Sequence, residues 1–264
     1  MLYIVGTPIG NLKDITYRAV ETLKLCDTIL CEDTRTSKGL LKTYGIQAPL
    51  LSFHAFNEKE REGQVVDKLL DNQSIALISD AGMPGICDPG VKLVARCRKE
   101  NIPMAIIPGP SAITSALSLS GLYKKRFQFI GYLEKKESAL KEQLFDMLTY
   151  KGLSICYETP HRLLKTLHML IQMAPELNIL IVREMTKVFE ETLLDTPKNL
   201  FKHFEKKGVK GEIVVIIPGK NPNLELSPKE CLHFLETTFQ LSRKEALVIG
   251  AKWLQIPKKT LYKS

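Results

Sequence analysis

Seven charged residues stand where a strand-like run gives way to a loop or helix, and their types suit proton transfer and anion binding. CEDTRTS at 31 to 37 places Glu32, Asp33 and Arg35 after the apolar run TILC. Three charges there make poor core residues. A carboxylate can accept a proton, and a guanidinium can hold a phosphate or a developing oxyanion. Asp33 or Thr34 could equally cap a helix predicted to start near Ser37, because short polar side chains accept hydrogen bonds from the first helical amides. YETPHR at 157 to 162 repeats the pattern with Glu158 and Arg162, while VREMTK at 182 to 187 adds Lys187 and KGE at 210 to 212 adds further charge. Asp80 follows the run SIALI, where it suits a cationic ligand or else satisfies the amides of its own turn. Asp88, just before Pro89, reads as part of the loop's architecture.

Such groups need a frame, and three loops supply one. VGTPIGNL (5 to 12), SDAGMPGICDPG (79 to 90) and IPGPSA (107 to 112) follow the apolar runs LYIV (2 to 5), SIALI (74 to 78) and MAII (104 to 107). Buried parallel strands would deliver all three loops to one crevice at their carboxyl ends, which suits a small polar ligand. Glycine and proline let the backbone approach that ligand, and a following helix N-terminus favours a carboxylate or phosphate. Strand and helix alternate through residue 120, which predicts an α/β layer with a mostly parallel sheet. SGLYKKRF at 120 to 127 breaks the pattern and sets a domain boundary. The expected organisation is an α/β domain at 1–120, then a second α/β domain at 121–219, richer in antiparallel strands. A linker, PGKNPNLELSP, and a short helical basic extension fill 220–264.

Composition narrows the chemistry. The loop at Gly6 and Gly10 lacks the glycine spacing of a dinucleotide fingerprint, and no GxxxxGK[ST] string occurs, which disfavours NAD and ATP hydrolysis. Five histidines show no HExxH and no Cys/His cluster, so no metal site is expected. Six cysteines without CxxC spacing, no leader pattern and no long apolar stretch predict a reduced, cytoplasmic, non-membrane protein. The net charge of +8 fits a polyanionic partner, and the segment from Pro228 to Ser264 supplies seven cations against three glutamates.

LYIVGTPIGNLKDIT, CEDTRTS, SDAGMPGICDPG, IPGPSA, YETPHR and REMTKVFEE resemble, in order, the blocks of the tetrapyrrole methylase superfamily, and within it the branch that methylates small-subunit ribosomal RNA. The resemblance covers residues 1 to about 217. It departs at Gly6, where the family often has alanine, and at Met83 and Cys87, where it often has threonine and serine; these changes are expected to alter packing rather than chemistry. The resemblance implies two α/β domains of a homodimer with S-adenosylmethionine in the cleft between them. It also implies methylation of a cytidine ribose 2′-hydroxyl in the decoding region, with small-subunit rRNA, in an assembled small ribosomal subunit, as partner. By family position Thr7, Pro8, Ile9, Asp80, Met83, Pro110, Ser111 and Ala112 would contact the donor, with Tyr157 and Gly211 closing over it. Glu32, Asp33 or Glu158 would accept the proton, while Arg35, Arg162 or Lys187 would position phosphate or alkoxide. Two other readings remain open: carbon methylation of a tetrapyrrole, and an RNA-binding assembly factor without activity.

Overall fold

A computed structural model describes residues 1–219, 227–254 and 256–262. The chain forms two compact units, one of Met1–Ser115 with Met185–Val188, the other of Ala116–Glu184 with Phe189–Ser264. The division falls earlier than the expected break at 120, and a four-residue turn of the REMTK segment joins the first unit.

In the first unit, strands β1 (Leu2–Val5), β2 (Thr28–Cys31), β3 (Leu50–Ser52), β4 (Ile75–Leu77) and β5 (Met104–Ile107) alternate with helices α1 (Tyr17–Leu25), α2 (Thr34–Thr43), α3 (Glu58–Leu70) and α4 (Val91–Lys99). Helix α5 (Ala112–Leu119) follows β5. The sheet is wholly parallel, in the order β3-β2-β4-β1-β5. Its strands are apolar on both faces because both are covered. Ile75 and Leu77 pack with Val65 and Leu69 of α3 and with Leu93 and Cys97 of α4. The alternate Ala76 and Ile78 pack with Ala19 and Leu23 of α1 and Leu41 of α2. Right-handed crossovers explain the sorting, since the chain steps from β1 out to β3 along one face and returns to β5 along the other. Adjacent β1 and β4 therefore send their loops to opposite faces, and a crevice opens at their carboxyl ends.

In the second unit, β6 (Phe127–Tyr132), α6 (Glu137–Thr149), β7 (Leu153–Glu158), α7 (Pro160–Met173), β8 (Ile179–Arg183), β9 (Glu191–Asp195), α8 (Pro197–Lys207) and β10 (Ile213–Pro218) precede three helices, α9 (Pro228–Thr238), α10 (Arg243–Trp253) and α11 (Lys258–Tyr262). Its sheet has the order β6-β7-β10-β8-β9, parallel only between β6 and β7. Antiparallel pairing thus dominates here.

The basic extension is part of this core and not a separate tail. Cys231, Leu235, Ala246 and Leu261 are fully buried in one cluster with Leu144 and Met147 of α6. Phe145 meets Phe239 and Trp253 edge-on at 5.0 and 5.4 Å. Serine caps Ser227 and Ser242 each form a reciprocal capping box with Glu230 and Glu245, which explains why both helices begin where they do. Most of the expected linker, 220–226, lies outside the described residues. No helix among the described residues is long and apolar enough to cross a membrane.

Candidate functional site at the carboxyl edge of the parallel sheet

The three predicted loops meet. Thr7 and Gly82 exchange backbone hydrogen bonds, Thr7 N donating at 2.9 Å and Gly82 N at 3.1 Å. The buried Thr7 hydroxyl donates to Ser79 O at 3.0 Å, and the Ser79 hydroxyl donates to Gly82 O at 3.1 Å. Ile9 and Pro8 are buried beneath this bridge, and Gly82, at φ +80°, faces the Ile9 side chain and the Pro110 carbonyl. Ser111 O accepts Ser115 N at 3.0 Å as Ala112 begins α5, so that helix opens with its amides at the loop cluster.

Gly6 and Gly109 touch through their backbones. A β-carbon on Gly6 would stand 2.8 Å from Gly109 Cα and 2.6 Å from Met83 Sδ. Met83 Sδ and the Gly109 backbone therefore both stand where an alanine methyl at position 6 would lie. Gly6→Ala alone should cost about 1 to 3 kcal/mol by overpacking. Adding Met83→Thr should recover about 1 kcal/mol of that in a double-mutant cycle of urea melts; strict additivity would disprove the coupling.

Gly10 is closed in by the 185–188 turn. Asn11 N donates to Thr186 Oγ1 at 3.0 Å, and a β-carbon on Gly10 would stand 2.6 Å from Lys187 Cγ. Lys187 therefore joins the first loop.

Acidic groups line the neighbouring edge. Asp33 caps α2, accepting from Arg35 N at 2.8 Å and from the Arg35 guanidinium at 3.1 and 2.8 Å. That pairing holds its carboxyl at about 2, far too low for a useful base. The capping alternative is what the structure shows, while the Arg35 guanidinium stays open to solvent. Asp80 accepts Asp33 N at 3.3 Å. Partial desolvation raises the Asp80 carboxyl, the Asp33 amide opposes that, and the Asp33 charge adds to it. Asp88 is pushed up to about 6 by burial first, then by Glu32 and Asp80, against a hydrogen bond from Ser79. Glu32, Asp80 and Asp88 so form an anionic, partly desolvated patch beside the crevice, suited to a cation.

The loop after β3 reaches the same edge and was missed by the sequence reading. Phe53 N donates to Cys31 O at 2.7 Å, and the buried Glu58 carboxylate accepts Gly90 N at 3.0 Å, fastening this loop to the one after β4. Farther along α2, Thr34, Lys38 and Lys42 line a groove with Gly45, Gln47 and Pro49. Lys38 and Lys42, one turn apart, point along one face.

In the second unit the candidates are more committed. Glu158 is buried, with a 1 % exposed side chain, and accepts from Arg162 at 2.7 Å, Thr159 N at 2.8 Å and the Thr166 hydroxyl at 2.5 Å. Arg162 also donates to Leu133 O at 2.8 Å and Thr159 Oγ1 at 3.2 Å. These bonds give both residues structural work: the Glu158 carboxylate is buried and already accepts three hydrogen bonds, and Arg162 braces β6 to α7. Tyr157 packs edge-on against Phe129 and Tyr132 at 5.0 and 5.5 Å. Gly211, at φ +86°, leaves no room for a β-carbon against the Glu184 side chain, whose Oε1 accepts Glu212 N at 3.0 Å.

Residues 1–200 match the profile of the tetrapyrrole (corrin/porphyrin) methylases. The chain is 38% identical to the ribosomal RNA small subunit methyltransferase I of Halalkalibacterium halodurans over 99% of its length and 93% of that protein. It is 41% identical to the protein so named from Haemophilus influenzae, over 99% and 95%. Among solved structures it is similar in fold to a diphthine synthase, with a TM-score of 0.65 at 15% identity over 83% of this chain and 89% of that one. A cobalt precorrin-4 methyltransferase gives a TM-score of 0.60 at 16% identity, over 83% and 94%. The chain belongs to the tetrapyrrole methylase family, in its ribosomal RNA small subunit methyltransferase I group.

Proposed function

We propose that this protein transfers a methyl group from S-adenosylmethionine to a cytidine ribose 2′-oxygen in the decoding region of small-subunit rRNA. It does so as a cytoplasmic homodimer acting on the assembled subunit. The reading rests on one combined observation: near full-length similarity to small-subunit rRNA methyltransferases in a chain whose loop cluster carries an anionic patch.

The residues present fit the donor. The backbone contact of Gly6 with Gly109 keeps side chains off the crevice floor, and Asp80 and Asp88 offer negative charge where a sulfonium or amine needs it. Bound there, the donor supplies an electrophilic methyl group. The protein's own work is then alignment of the 2′-oxygen and disposal of one proton. With Asp33 tied to Arg35 and Glu158 buried, exposed Glu32 is the proton acceptor of the original three. Arg35 is placed to hold a phosphate, and Lys187 stiffens the first loop.

The test is transfer of labelled methyl from S-adenosylmethionine to small subunits lacking the modification, with the labelled nucleotide mapped. Label on a decoding-region cytidine 2′-oxygen is expected. Label on a tetrapyrrole and none on the subunit would overturn the reading.

RNA contact belongs to the groove on α2 more than to the C-terminal helices. Lys252 is bound to Glu142 and Asp146 and Arg243 to Glu236, which offsets part of the extension's charge, and the extension's apolar face is core. Lys38→Glu with Lys42→Glu should flatten the salt dependence of RNA affinity. Two lost phosphate contacts at about 0.7 each give about 1.4 in the log–log slope on single strands. An unchanged slope would clear the groove of that role.

A further inference from the structure

The loop after β3 holds an aromatic ring out from a rigid base. Phe56 is 97% exposed, and His54 lies edge-on to it with ring centroids 6.0 Å apart. Nothing about the loop is slack. Asn57 Oδ1 accepts His54 N at 2.8 Å, Asn57 Nδ2 donates to Ser52 O at 3.2 Å, and Arg61 donates to the same carbonyl at 2.5 Å. Phe53 N ties the loop to β2, just before Glu32 and Asp33, and Glu58 ties it to Gly90 after β4. Among the described residues three buried side-chain polar atoms lack a partner, and one of them is His54 Nδ1. Such atoms are uncommon in native proteins.

A solvent-facing aromatic ring, on a loop whose ends are hydrogen-bonded to Cys31, just before Glu32 and Asp33, and to Gly90, matches the chemistry of an unpaired nucleobase. Every base has a π-face that stacks on phenylalanine, and RNA readers recognise splayed bases by such stacking. The protein's net charge of +8 draws the strand in without choosing a base. Resting on the RNA reading above, we infer that Phe56, backed by His54, is the stacking platform for an unpaired base of the RNA substrate next to the reacting ribose. The platform positions the strand and does no chemistry.

The chain carries one tryptophan, so Phe56→Trp adds a reporter at the platform. Titrating this variant with a short single-stranded oligocytidylate should quench its fluorescence with saturation, whereas the wild type should show little change. Phe56→Ala should weaken affinity for the oligonucleotide by about 5- to 150-fold, the range expected for one stacked base. Phe56→Tyr should restore it, and S-adenosylmethionine affinity by calorimetry should stay unchanged. Full affinity in Phe56→Ala, rescue by Phe56→Leu as good as by tyrosine, or a changed sedimentation coefficient in Phe56→Ala would each overturn the assignment, the last by giving the ring to a subunit contact. A wild type that methylates subunits while Phe56→Ala matches it in KM also overturns the platform but leaves the RNA reading standing. A wild type that neither binds nor methylates RNA overturns both.

Discussion

Asp80→Asn should weaken S-adenosylmethionine binding by about 10- to 150-fold, the loss of one charge-assisted contact of about 1.5 to 3 kcal/mol. Unchanged calorimetric affinity would remove Asp80 from the donor site. The neighbouring Asp88 supplies a pH signature. Burial, Glu32 and Asp80 raise its carboxyl from the ordinary 3.8 to about 6, so it loses its charge as pH falls through about 6. Donor affinity should fall over the same range in the wild type and much less in Asp88→Asn.

The effect on stability has the opposite sense. Because the folded protein holds the Asp88 proton more tightly than the unfolded chain, stability from this group is full below about 4. It is lost as pH rises towards about 6. Allowing for solvent around a half-buried group, the loss is about 1 to 2 kcal/mol. Asp88→Asn should therefore raise the melting temperature at neutral pH while flattening the pH dependence of donor binding. A cluster kept ionised at a cost in stability is what a cation site requires.

Legibility differed sharply between residues whose role is local and residues whose partners are distant. Four of the first sheet's strands are continuous apolar runs, three of them ended by glycine and proline, and those runs are visible because both faces of a parallel sheet are buried. β3 has only three residues, none fully buried, and α3 begins EKEREG, with its buried Val65, Val66 and Leu69 confined to the second half. Both escaped notice, and the Phe56 loop between them went with them. α8 was missed similarly, its buried positions being only Pro197, Leu200 and Phe204. In the site, the cap at Asp33 was readable because its partner is two residues away. The union of Gly6 with Met83 was not, because no local pattern brings β1 to the loop after β4. YETPHR looked like CEDTRTS in composition, yet one glutamate is exposed and the other buried, since Thr166 lies a full two turns into α7.

Glu158 decides between a structural and a catalytic reading of that second motif. Glu158→Ala leaves the Arg162 guanidinium, Thr159 amide and Thr166 hydroxyl without their shared acceptor in a nearly dry setting. Removing one partner of a buried ion pair costs about 3 to 5 kcal/mol. In a chain of this size each kcal/mol is worth about 2 to 4 °C, so the melting temperature should drop by about 6 to 20 °C. Glu158→Gln keeps an acceptor for Thr166 and should lose less. If the residue braces β7 to α7, kcat measured well below the lowered melting point should remain within a few-fold of wild type in the Gln variant, and its pH profile should not move. If Glu158 takes the ribose proton, Glu158→Gln should instead abolish turnover while melting almost normally. Burial favours the first outcome: a carboxylate with a 1% exposed side chain, already holding a guanidinium, an amide and a hydroxyl, is out of reach of a ribose hydroxyl unless that packing opens.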